Sequence, residues 1–571
     1  MAIHCKALNT DVLIVGGGGA GAMAAIKAME EKADVLVVTK GPYPSGNSSI
    51  AVAGYGAALG HADSRDNPKI HFEDALKSGN GLCNQKLVKT WVTKIIEVTY
   101  EMDGWGIDLI KEGDKFAQRP WAGHTYPRMV HHHFTTGKAV TQCLSQKSNE
   151  IGVQAQEHTI IGGLIKQDDT VNGAWGVDYR TGELIFISAK AVILTTGGMG
   201  HLFPISDNIK TITGEGYSLA FRAGAELIQM EFCHFLPTPC YPEEMKFRSV
   251  FIGKVQGLIN KGGAKLYNSL GERFMKKYYP ETGEEGLGGE EITRAIGLEL
   301  CEGKGSPHGG IYLDVSGISE DLKENEFGDV WRKAEKAGVD LSYQPIELAP
   351  NPHDLVGGIK IDETGRTTVE GLFAAGEAAG GAHGASRFGG SALAEALAFG
   401  AITGVSASDY AKKTAIHSPS DEKLNEVQSK IEALVSKKKG ISPSEIRRRV
   451  QSIANDHLNA GRNEKGLKNA LEELERIEHE MLPQMTAWSE DSSRSASRLR
   501  QAIEVEGQIE LSKIIATAAL ERTESRGGYF GGHYRSDFPL QDDENWLKNI
   551  VVKKDRDSIS LHTEPPVIID W

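Results

Sequence analysis

Residues 11–25, DVLIVGGGGAGAMAA, decide how the chain begins to fold. Val12-Leu13-Ile14-Val15 is a short apolar run and reads as a buried parallel strand. It leads into Gly16-x-Gly18-x-x-Gly21 and then into an alanine-rich helix. Each part answers a need of a bound diphosphate. Gly16 permits the tight turn, Gly18 lets the backbone approach the phosphates, and Gly21 lets helix and strand pack closely. Gly19 and Ala20 open the helix, whose first N–H groups and positive dipole end face the anion. A second run, residues 34–38 (DVLVV), completes the start of a βαβ unit.

Many dinucleotide sites end the second strand on an acidic residue that holds the ribose. Here Thr39 and Lys40 stand in its place, which weighs against NAD. Two distant segments point to FAD instead. Residues 190–200, KAVILTTGGMG, form another apolar strand whose Thr196-Gly197 ending suits a backbone passing close to a cofactor. Residues 368–378, TVEGLFAAGEA, repeat that form, and Glu377 offers a carboxylate to ribitol or ribose hydroxyls.

A chain of 571 residues exceeds one compact core, so two or three domains are expected. The net charge of −14 argues against nucleic acid as a partner, since phosphate binding needs clustered Lys and Arg. Cys5, Cys83, Cys143, Cys233, Cys240 and Cys301 are scattered. That spacing suits a reducing cytoplasm and supplies neither a disulfide framework nor the grouped thiolates of an iron–sulfur cluster. Any cluster on the electron path would belong to another subunit. The first ten residues lack the basic flank and apolar core of a secretory signal. No uninterrupted apolar run reaches the roughly 20 residues of a membrane span, so a membrane location would be reached through partners.

Further motifs follow in order: Thr213-Gly214-Glu215-Gly216-Tyr217, Gly271-Glu272-Arg273-Phe274-Met275, Gly357-Gly358-Ile359, residues 383–393 (HGASRFGGSAL), and Glu524-Ser525-Arg526-Gly527 ahead of Asp537-Phe538-Pro539. With the glycine motifs they make the chain resemble the flavoprotein of succinate dehydrogenase and fumarate reductase, a family that includes L-aspartate oxidase and has adenylylsulfate reductase as a relative. The resemblance implies an α/β fold. A discontinuous Rossmann-like FAD-binding domain would span 1–235 and 350–405, an α+β capping domain 236–349, and a helical C-terminal domain with an extension 406–571. Residues 421–487, rich in Glu, Lys, Leu and Ala at helical spacing, favour the last point independently. The resemblance also adds Ser391 and Leu393 to the cofactor contacts. Several members attach FAD covalently through a histidine, and Ser48, in residues 46–54 (GNSSIAVAG), falls at that position. Serine cannot form the link, which implies non-covalent FAD hydrogen-bonded by Ser48 and Ser49.

The same resemblance implies hydride exchange between the flavin and a small anionic substrate, and electron exchange with an iron–sulfur subunit, with membrane-anchor or further redox subunits beyond it. The location would be cytoplasmic, at the inner membrane face if partners dock it there. Carboxylate recognition calls for Arg and His donors. His353 falls on the family's substrate histidine and Arg387 on its substrate arginine. Two positions depart from the pattern: Leu236 replaces a second histidine, and Gly289 stands where the general-acid arginine should be. Arg294, Arg248, Lys254 and His234 are candidates to restore the missing cation. His131-His132-His133 invites a metal reading, but three adjacent side chains cannot share one side of a strand or helix, so no metal is expected. The alternatives to a complex-bound enzyme are an L-aspartate oxidase-like oxidase, an adenylylsulfate reductase-type flavoprotein, a divergent member acting on a non-dicarboxylate, or a subunit whose chemical site has decayed.

Overall fold

The computed structural model describes residues 4–245, 254–528 and 531–571. Its central sheet runs Gln154–Gln156, Val35–Val38, Cys5–Val15, Leu184–Leu194, Thr170–Asp178, Thr159–Gln167, with Leu372–Ala374 also paired to Leu184–Leu194. The register aligns the carboxyl ends. Val15 lies opposite both Val38 and Leu194, and Leu194 lies opposite Ala374, all in parallel pairings. The turns that follow these ends (at Gly16, Thr39, Thr195 and Ala375) therefore emerge at one edge, where open α/β sheets bind ligands.

The helix Gly19–Glu30 leaves that edge and packs against Ser391–Ala411. Ser391–Ala411 is long and apolar enough to cross a membrane, yet 72% of that window is buried inside the protein. It is a core helix, apolar around most of its surface because most of that surface is covered.

Two long antiparallel strands, Cys233–Tyr241 and Ile346–Leu355, leave the FAD-binding part for a second sheet, joined by Ile311–Asp314 and Lys265–Tyr267 on one flank. Around them a separate apolar core forms from residues such as Leu258, Ile292, Ile296, Leu313 and Ile346. This second body is the cap. Beyond the core helix come Asp421–Ser436, Pro443–His457, Glu464–Arg476 and Ser492–Glu521. Pro443–His457 shows why such segments are helical. Ser442 caps Glu445 N–H, proline takes the first turn, and Ile446, Val450, Ile453 and Ala454 bury one stripe.

The C-terminal extension is not helical throughout. Asn549–Asp555 and Ser558–Glu564 form a hairpin added to Leu227–Ile228, and Arg526–Gly528 with Gly531–His533 adds to Cys233–Tyr241. Fully buried Arg522 bridges Glu231 at 2.7 Å and Glu524 at 2.8 Å, locking this extension to the FAD-binding part.

Candidate active site

A cavity of about 830 Å³ begins at the carboxyl edge of the central sheet and ends beneath the cap. Its nucleotide end is lined by Gly16, Gly18, Gly19 and Ala20, with Thr39, Lys40, Ser48, Thr196, Gly197, Glu377 and Leu393. Ser48 Oγ accepts the Gly19 N–H at 3.0 Å, which places the hydroxyl over the helix N-terminus. Gly21 lies below the wall: a Cβ there would sit 2.1 Å from Gly16 O. Three other residues read as cofactor contacts have local duties. Ser49 Oγ donates to Gly46 O at 2.8 Å, and Ser391 Oγ donates to Phe388 O at 2.7 Å. Lys40 lines the wall but is braced by Glu215 at 2.7 Å and Glu504 at 3.3 Å.

Polar atoms at this end lack partners. Thr196 Oγ1 and Glu377 Oε1 are buried with no hydrogen bond among the described residues. Burial, reinforced by the Asp354 charge, pushes the Glu377 carboxyl up to about 8. Buried groups of this kind normally have partners, and a ligand's hydroxyl and carbonyl groups would supply them. The donors fit a dinucleotide.

At the far end stand His353 and Arg387. His353 Nδ1 is 3.0 Å from Asp207 Oδ2. Burial, the largest single influence, works to lower its pKa, but the charge and hydrogen bond of Asp207 together with the Asp354 charge hold it above the ordinary histidine value. Arg387 forms a two-pronged pair with Asp354, Nε to Oδ2 at 2.9 Å and Nη2 to Oδ1 at 3.0 Å. Burial works to raise the Asp354 pKa; Arg387, His234 and His353 together hold it well below the carboxylate range. A guanidinium fixed at Nε and Nη2 keeps its orientation, and Nη1, which donates to Phe388 O at 3.4 Å, carries a further N–H.

His234 is fully buried and off the cavity wall. Its Nδ1 lies 3.1 Å from Asp354 Oδ1 and its Nε2 3.1 Å from Ser386 Oγ, so it steadies the ion pair. Burial lowers its pKa, which favours the neutral ring. Arg294 points away from the cavity: its Nη2 donates to Pro539 O at 3.1 Å and its guanidinium lies over Tyr534. Arg248 lies outside the described residues. Leu236 and Gly289 line the wall, as do the cap residues Lys254, Gln256, Asp329 and Lys333. His132 approaches Asp108, with Nε2 3.3 Å from Oδ2, so the histidine triplet does have a carboxylate neighbour.

Sequence reasoning missed Asp207, Asp354, Trp121 and Lys333. Asp354 follows His353 directly, and buried histidines and arginines need carboxylates. Trp121 carries no such signal. Its indole lies against Gly389, where a Cβ would meet Nε1 at 2.2 Å.

Residues 11–393 match the family described as FAD binding domain, and residues 447–570 that described as fumarate reductase flavoprotein C-term. The chain belongs to the succinate dehydrogenase and fumarate reductase flavoprotein family. Within that family it is 34% identical to a fumarate reductase (CoM/CoB) subunit from Methanothermobacter marburgensis, over 95% of this chain and 97% of that one. It is 30% identical to the fumarate reductase flavoprotein subunit of Mycobacterium tuberculosis, over 98% of both. The solved Mycobacterium smegmatis Sdh1 in complex with UQ1 matches with a TM-score of 0.89 at 31% identity, over 99% of this chain and 95% of that one. As a family member the protein is an FAD-dependent oxidoreductase.

Proposed function

We propose that this chain is the catalytic flavoprotein subunit of a reductase or dehydrogenase complex, exchanging a hydride with a small carboxylate held by His353 and Arg387. The observation that carries this reading is continuity: the glycine cradle and the His353–Arg387 pair line one cavity. FAD, when bound, supplies the two-electron centre. The chain's own residues hold and orient the substrate. His353, its pKa raised beside Asp207, and Arg387, aimed by Asp354, would each donate to a carboxylate oxygen. Gly289 supplies no acid, and Lys254 is a cap cation that reaches the cavity. Ser48 supports non-covalent FAD, since its hydroxyl is engaged with Gly19 N–H and has no chemistry for a link to the flavin ring.

Electrons would pass to or from an iron–sulfur subunit. The names of the relatives, each a subunit, support this. A cytoplasmic position, at the inner membrane face through partner subunits, follows from the same reading.

The test is anaerobic spectroscopy of the purified, FAD-loaded chain. A panel of saturated and unsaturated carboxylates is added to the oxidised and the reduced protein. At least one should bleach or restore the flavin spectrum. If none does, while FAD remains bound, the hydride-exchange reading fails.

A further inference from the structure

Asp207 holds His353, yet no regular element holds Asp207. It lies between the short turn Gly200–Leu202 and the helix Glu215–Ala223, in a segment with neither helix nor strand. Its carboxylate must therefore be aimed by side chains. Oδ2 faces His353 Nδ1 at 3.0 Å, and Oδ1 accepts from Asn208 Nδ2 at 2.8 Å. The same Nδ2 is shared with Pro352 O at 3.1 Å and His353 O at 3.3 Å, the carbonyls on either side of the His353 Cα. One amide thus meets both the main chain of His353 and the carboxylate on its ring.

The direction of these bonds is fixed by their partners. The Pro352 and His353 carbonyls can only accept, so Asn208 turns Nδ2 to them, and its Oδ1 accepts from Asn47 Nδ2 at 2.5 Å. Asn47 is oriented in turn by the Ile209 N–H, which can only donate and does so to Asn47 Oδ1 at 3.2 Å. The donations run from Asn47 through Asn208 to Asp207, a chain in which successive bonds polarise one another. Gly200 makes room for it: a Cβ there would lie 2.4 Å from Asn208 Cγ.

Asn47 opens the short turn Asn47–Ile50, in which Ser48 reaches the Gly19 N–H at the nucleotide end. Both asparagines line the cavity. We infer that Asn47 and Asn208 are positioning residues for His353, and that through them the turn at the cofactor end sets the aim of the substrate clamp. This rests on the reading of His353 as a donor to the substrate carboxylate. Without Asn47, Asn208 Oδ1 loses its donor and the buried amide can turn away from Asp207. Asp207 then holds His353 less firmly, and burial, which opposes the charged ring, counts for more. Asp354, Arg387, His234 and Glu377 also act on the His353 charge. Among the described residues neither asparagine is hydrogen-bonded to any of these four, so the effect passes through Asp207.

The FAD-saturated protein is titrated with acetate, malonate, succinate and fumarate between about pH 6.5 and 9.5, while the flavin absorbance shift is followed. The tightest binder should lose affinity as pH rises and the His353 ring gives up its proton. Asn47→Leu, close to asparagine in shape, should weaken that binder about 2- to 10-fold at neutral pH, the net worth of one hydrogen bond, and move the loss to lower pH. Asn208→Ala should move it the same way. In an Asp207→Asn background Asn47→Leu should move it no further, because the link it breaks is already gone, a non-additivity that a merely structural role does not produce. A loss that stays put in Asn47→Leu, or that moves equally in both backgrounds, overturns the inference and leaves the His353–Arg387 clamp in place. If the wild-type protein binds none of the four acids, or shows no loss at high pH, the clamp itself fails and the inference with it.

Discussion

Gly18 gives a test in which the folded chain and the bound cofactor respond oppositely to one methyl group. Gly18 caps the helix Gly19–Glu30 with φ −79° and ψ −170°, a conformation open to alanine. A Cβ there would meet only Ser48 Oγ at 3.8 Å and Ser45 O at 3.9 Å, ordinary contact distances. Gly18→Ala should therefore leave the FAD-free protein as stable as before. The new methyl would nevertheless stand at the cavity wall, where the diphosphate of FAD would approach the backbone under the reading proposed above. Overpacking by one methyl costs about 1–3 kcal/mol, which lowers FAD affinity about 5- to 150-fold. Gly21→Ala is the contrasting variant. Its Cβ would lie 2.1 Å from Gly16 O and 2.7 Å from Thr195 Oγ1, so the helix must shift and the FAD-free fold itself must weaken. FAD titration followed by flavin fluorescence gives the affinities, and thermal melts without FAD give the stabilities. Wild-type affinity in Gly18→Ala would refute the placement of the diphosphate against this residue.

Asp207→Asn removes the charge that keeps the His353 pKa raised; the high-pH limb of kcat/KM for an anionic substrate should then move to lower pH, and a limb that stays put contradicts the role given to Asp207. Asp354→Asn frees Arg387 from its two-point anchor and should lower kcat/KM about 100-fold with FAD content unchanged, as expected of a misplaced substrate contact. Acid denaturation of the wild-type protein should release all flavin, and colour retained on the polypeptide would disprove non-covalent binding. Ser48→Ala removes the acceptor for Gly19 N–H and should weaken FAD about 2- to 10-fold, the net worth of one hydrogen bond.

The flavin end was legible because its demands are local. A strand, three glycines and a helix N-terminus must follow one another within a dozen residues, and the chain writes them in order. The far end depends on geometry that sequence does not carry. His234 and Leu236 are two residues apart on one strand, yet they have different surroundings, and the register shift opposite them leaves His353 as the extra residue of the partner strand. Leu236 reaches the cavity and His234 turns inward to Asp354. Arg294 lies five residues after Gly289 on one helix, about 140° around its axis, and so faces Tyr534 instead of the cavity. Asp207 sits in an irregular segment with no periodic signal, placed by Asn351 Oδ1 accepting its N–H at 3.0 Å. Lys333 reads in the sequence as one more charge on an amphipathic helix, and only the folding of the cap over the sheet edge turns it to the wall.

The positions of these charges also assign separate tasks to the two bodies of the fold. His353 and Arg387 belong to the end of the cavity built on the FAD-binding part, and each already has a carboxylate, so neither adds net charge to the wall. Their ion pairs fix orientation, and little long-range attraction remains. Lys254, Asp329 and Lys333 belong to the cap, whose apolar core is separate, and together they carry one uncompensated positive charge. An anion spanning both ends would meet fixed donors from one body and free charge from the other. Its full binding energy would then be realised only with the cap seated over the sheet edge.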